Sequence, residues 1–215
     1  MDVKAVYNRI RYQIESEAAR GGKDARQIAE SEGLEAPLVD WLAHFPKWKD
    51  TPEKLASFAA ACKAVYEDPA MPILWRAITA ENGASAAGAM NDVEERLKLQ
   101  ELALNLVEGL KGTSEYEWIK LSVETGRMDA LPETYDVDKY HGHAKTAVNM
   151  GLFNAPGMAH RTSDKLIVDG RLAEAQDLGN LFKGVSETGI HNYSLGQRER
   201  FEKAYPDIFK DNEDE

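Results

Sequence analysis

The chain has little that would mark it for a particular chemistry. Only one of its 215 residues is cysteine, Cys62. A lone thiol cannot close an internal disulfide, which points to a reducing, cytoplasmic setting. No apolar run approaches the roughly 20 residues a membrane span needs. The opening MDVKAVYNRIRYQ becomes charged too early for a secretory leader. G-x-S-x-G, C-x-x-C, H-E-x-x-H and dinucleotide fingerprints are all missing. Gly21-Gly22-Lys23 lacks both the frame of a phosphate loop and a preceding strand. Internal repeats and low-complexity tracts are absent too. These gaps argue against a membrane protein, a disulfide scaffold and the commonest hydrolase, redox and nucleotide-binding motifs.

A basic excess is also lacking. The formal net charge is −11, with 26 Lys+Arg against 37 Asp+Glu. Residues 1–50 carry only −1 of it, so the remainder carries −10. That acidic body repels nucleic acid and anionic lipid at long range, so any contact with DNA has to run through the first fifty residues. The terminal KDNEDE reads as a solvated acidic tail over 210–215.

What is present is helical patterning. Hydrophobic content of 43% and charged content of 29% belong to a soluble globular chain. Val3, Val6 or Tyr7, Ile10, Ile14 and Ala18 recur every three or four residues, which predicts a first amphipathic helix stopped by Gly21-Gly22. Short helices are expected at about Asp24–Ser31 and Ala36–Phe45, and Pro46 closes the second. Thr51-Pro52 opens a further helix with the stripe Leu55, Phe58, Cys62, Val65 and Tyr66. Another is expected at Ile73–Glu81, followed by Gly83–Gly88, which fits either a loop or a close-packed helix start. Met90–Lys111 runs for six turns without proline, with Asn91 as its cap and leucines over a wide arc. A helix apolar over much more than about 100° must be covered from several sides, so this segment is expected to be the buried hub. Ser114 and Glu117 form a capping box for a helix that Gly126 ends, and Ser194 with Gln197 a second box for a last helix to Tyr205. Between them helices are expected at Val137–Met150 and Arg171–Lys183. Lys165–Gly170 is the only stretch resembling a strand, or else an extended connector. The expected fold is all-α: a compact multi-helix bundle around a central buried helix. It divides into an N-terminal helical unit (1–50), a helical core domain (51–209) and the acidic tail.

Residues 25–44, ARQIAESEGLEAPLVDWLAH, carry a local geometry. Ala29 is small where two helices would cross, and Gly33 sits where the turn needs positive φ. Leu34, Val39 and Leu42 would turn apolar side chains back to the first helix, supported by Ile28. The stretch resembles a helix-turn-helix, which implies two short helices and, in DNA-reading members, a second helix in the major groove. Its outward positions would be Glu35, Ala36, Asp40 and His44, and the two acids face phosphate unfavourably. Lys23, Arg26, Lys47 and Lys49 could clamp a backbone from the flanks. With Trp41 and His44 they form the expected contact set for nucleic acid or a protein partner. The plainer reading is a hairpin used for packing or protein contact.

Metal chemistry is the alternative. His141 and His143, with His160 and Asp164 further on, could hold a divalent ion if the H-x-H pair were extended. On a helix, positions two apart diverge by about 200° and cannot share one. Glu101, Asn105 and Glu108 form an oxygen-rich stripe that reads first as a solvated face. Cys62 sits among alanines as an inert thiol, and the four tryptophans read as core or interface anchors. The sequence therefore points to a non-enzymatic binding or adaptor protein without a cofactor. It would contact a protein, or nucleic acid, through residues 1–50, with self-association open. Two other readings stay open: a metal-dependent enzyme with its site in 127–170, and an acidic inhibitor that mimics nucleic acid.

Overall fold

The computed structural model describes residues 2–20, 22, 24–46, 48–130, 136–152, 155–183 and 203. Every regular element among them is helical. Contacts divide the chain into two compact units, Met1–Thr134 and Tyr135–Glu215. The first holds α1 (Val3–Arg20), α2 (Ala25–Ser31), α3 (Ala36–Ala43), α4 (Pro52–Tyr66), α5 (Ile73–Ala89), α6 (Val93–Leu106) and α7 (Ser114–Ala130). A 3-10 turn, Glu108–Leu110, follows α6. The second holds α8 (Val137–Asn149), α9 (Ala155–Val168) and α10 (Leu172–Lys183).

The local punctuation acts as the residue types dictate. Asp24 caps α2 by accepting from the Gln27 amide at 2.8 Å, and Thr51 caps α4 by accepting from Lys54 at 3.2 Å. At Gly33 and Gly151 φ is +69° and +65°, a left-handed turn that glycine makes without a Cβ clash. Several boundaries differ from the sequence expectation, among them the end of α5, which runs past Glu81 to Ala89. The cap of α7 is Thr113, whose hydroxyl accepts from the Tyr116 amide at 3.3 Å, so the helix starts one residue earlier than a Ser114 cap implies. Gly126 does not end α7, which continues to Ala130; the missing Cβ instead lets Gln100 of α6 come close. Lys165–Val168 is the last turn of α9 and not a strand: with no extended segment among the described residues to pair with, its amides bond within the helix. The helix expected at Ser194–Tyr205 falls almost wholly outside the described residues.

The hub is α5, not Met90–Lys111. Trp75, Ala77, Ile78, Thr79, Ala80, Gly83, Ala84, Ala86 and Ala87 are all buried on it, and α4, α6 and α7 pack against it. Alanine and glycine on several faces let three neighbours approach closely. A Cβ on Gly83 would meet Leu99 at 3.3 Å and Tyr66 at 3.4 Å. Met90–Lys111 is not one rod. The chain turns at Asn91, where φ is +60°, and Asp92 starts α6 by accepting from the Glu95 amide at 3.0 Å. Met90 and Val93 are 46% and 44% exposed, and within α6 only Leu99, Gln100 and Ala103 are buried. Its other leucines are half-covered, because the surrounding charges leave the opposite face to water.

An aromatic cluster joins the first helices to the hub. The Tyr7 ring stacks on Trp41 at 5.9 Å, and the Trp75 ring stands edge-on to both at 6.2 and 6.1 Å. Trp118 of α7 lies 5.6 Å from Tyr7, and Phe45 meets Phe58 of α4 at 5.2 Å. Each such ring contributes about 1.5–3 kcal/mol on burial. Residues 1–50 therefore share one core with α4, α5 and α7, and the division falls after Thr134 rather than after residue 50. In the second unit α8, α9 and α10 pack on one another around Tyr140, Ala144, Met158, Leu166 and Leu178.

Candidate functional site

The hairpin α2–α3 sets its apolar side chains inward. Ile28, Ala29, Leu38, Val39 and Leu42 are buried, with Ala29 and Leu42 fully so. Trp41, expected as a contact residue, is fully buried between Tyr7 and Trp75 and belongs to the core. A ring of that size gains more from desolvation than from a rim position. His44 is the half-buried C-cap of α3. Lys49 is exposed, its ammonium 4.6 Å from the Trp48 ring centroid. Lys23 and Lys47 lie outside the described residues. Arg26 is exposed but donates to Asp40 of α3 at 2.6 Å, and Arg9 of α1 donates to Glu32. The hairpin's one cation, Arg26, is thus paired with an acid of the same hairpin, while Glu30 and Glu35 remain exposed.

In the second unit His141 and His143 both lie on α8 and diverge as helical positions two apart must. His141 is 8% exposed. Its Nδ1 is 3.4 Å from a Glu174 oxygen, and its Nε2 is buried without a partner. Burial, and then nearby Lys145, push its pKa below the usual value, with Glu174 opposing. Arg171 holds Glu174 at 2.6 Å and also bridges to Asp138. Asp164 is half-buried on α9. The side chain of His160, on the same helix, lies outside the described set. Among the described residues no three His, Cys, Asp or Glu side chains gather as a metal-holding group.

Two groups of residues carry more than the sequence indicated. Glu81 of α5 meets Ser122 of α7 and Arg96 of α6. Burial raises its pKa, with the Ser122 hydrogen bond and then the Arg96 charge pulling the other way. Cys62 is fully buried, which pushes its thiol up and makes it inert. The second group lines an open groove of about 500 Å³ between α4, the start of α5 and α6. Tyr66, Leu99 and Leu102 supply its apolar surface, and Arg76, Glu101 and Asn105 supply polar groups. Glu101 and Asn105 were legible as a stripe on one helix face. Arg76 carried no signal, because its partner is a backbone carbonyl on another helix.

The fold and these surfaces define an all-α protein of two compact units, with an acid-rich hairpin and an open groove on the first. No family model matches the chain, and no curated protein and no solved structure matches it either. Among the described residues no helix is long and apolar enough to cross a membrane.

Proposed function

We propose that the chain is a non-enzymatic binding protein that contacts a partner protein through the outer face of α2–α3. One observation carries this reading: the exposed Arg26 is committed to Asp40 on the same hairpin, and the face beside it shows Glu30 and Glu35. A phosphate backbone needs several free cations to release counterions, and paired arginines beside carboxylates do not provide them. A protein surface is less demanding. It accepts a mixed polar rim, provided the hairpin is held rigid, and the Trp41–Tyr7–Trp75 stack supports that rigidity.

The test places a photo-crosslinking residue at exposed Gln27, with exposed Ala60 of α4 as control, in the full chain. The expected result is one discrete protein adduct from Gln27, none from Ala60, and loss of the adduct on Glu35→Arg with Asp40→Arg. Labelled duplex DNA should show no association at about 50 mM salt, where electrostatic binding is strongest. DNA binding that falls steeply with salt and disappears on Arg26→Ala would replace the partner protein with nucleic acid. Stoichiometric zinc or manganese lost on His141→Ala would replace binding with metal chemistry.

A further inference from the structure

The α4–α6 groove is a second, independent surface on the first unit. Its charged side chains are not equivalent. Lys63 pairs with Glu67 at 3.7 Å and Lys98 with Glu95 at 3.0 Å, so four of them neutralise each other along the rim. Arg76 is different: its Nε donates to the Tyr66 carbonyl at 3.0 Å, capping the C-terminal end of α4. Among the described residues it makes no ion pair, and neither does exposed Glu101. One edge of the guanidinium is therefore fixed by backbone while its charge is uncompensated, an arrangement that favours a carboxylate. Half-buried Leu102 provides apolar surface beside it, and only the edges of the buried Tyr66 and Leu99 reach the groove. The Tyr66 hydroxyl, its pKa pushed up to about 12 by burial, stays a neutral donor. The groove is too open to enclose most of a small molecule, but it suits a segment running along it.

We propose that this groove binds a peptide segment of a partner protein that carries an acidic side chain for Arg76. An adjacent apolar side chain of the segment covers the half-buried Leu102, and a basic side chain meets the exposed Glu101. The complementarity runs both ways: among the described residues the groove offers one cation and one carboxylate without an ion pair, beside Leu102, and the segment supplies their opposites. This surface does not depend on the hairpin, so either assignment can fail without the other.

The test uses the full chain and fluorescent, end-capped nonapeptides. Each carries one glutamate, one leucine and one lysine in varied order and spacing, and anisotropy reads binding. A subset with a defined order and spacing should bind, and replacing its glutamate by glutamine should weaken it about tenfold. Arg76→Gln should weaken the same peptides by a similar factor. Glu101→Lys, at an exposed position where the fold is not at risk, should shift preference to peptides whose lysine is replaced by glutamate. Arg26→Ala on the hairpin should change nothing. Three results overturn the proposal: no peptide binding at about 1 mM, the range of the weakest specific contacts; equal binding of glutamate and glutamine peptides; or sedimentation showing a dimer that Glu101→Lys dissociates, which would make a second copy the occupant.

Discussion

Half-buried Glu81 and fully buried Trp41 show how differently two side chains report on their surroundings. Trp41 has an apolar ring and four aromatic or thiol neighbours, Tyr7, Phe45, Trp75 and Cys62, so burial of the ring stabilises the first unit. Glu81 is held by Ser122 and Arg96, yet burial still raises its pKa above the ordinary 4.5. The sign follows directly. A carboxyl group whose folded pKa is raised contributes stability while protonated, at or below its unfolded value, and loses it as pH rises through the folded value. Glu81→Gln keeps the shape and the acceptor for Ser122 but cannot ionise. It should therefore stabilise the protein near pH 7 and have no such advantage near pH 4, which denaturant midpoints at the two values would measure. A midpoint difference independent of pH would show that the ionised group costs nothing there.

At the scale of elements, helix ends were the most legible feature and helix partners the least. Asp24, Thr51, Gly33 and Gly151 act within one turn of their own position, so the sequence alone locates α2, α4 and the turns after α2 and α8. The hub was misplaced for a physical reason. A dense leucine arc reads as burial, but leucines on α6 are half-covered, while the alanine and glycine faces of α5 allow three helices to approach. The break between them rests on Asn91 and Asp92, and it tests the two-helix reading. Asp92→Ala removes the acceptor for the Glu95 amide and should cost about 1 kcal/mol in chemical unfolding. If Met90–Lys111 were one continuous rod capped by Asn91, Asp92 would be its first helical residue, and the same change would cost only about 0.3 kcal/mol through the lost first-turn charge. The strand-like Lys165–Val168 teaches a similar lesson, since an apolar run of three, Leu166–Val168, has no periodicity to separate strand from helix.

For the whole molecule, the division after Thr134 predicts that the two units respond separately to acid. His141 sits in the second unit with its folded pKa lowered from 6.5. The native state then binds fewer protons than the unfolded one, and stability is lost as pH falls below that value. Hydrogen-exchange protection in α8 and α10 should drop as pH falls from about 6.5, while α4–α6 hold theirs; His141→Gln should abolish the difference. Equal loss in both units would mean that they unfold as one body. The hairpin candidates divide along the same lines as the fold. Its helices and turn were legible because caps and glycines are local. That Trp41 faces inward and Arg26 is bound to Asp40 was not, because the first depends on Tyr7 and Trp75 from other helices and the second on how α2 and α3 are set against each other. The sequence by itself determined an all-helical chain, its acidic balance and most helix ends, since periodicity, charge and capping act over a few residues. Which helix lies at the centre, where the chain divides and which charges stay free were decided only by the tertiary structure, since each depends on how side chains fit across elements.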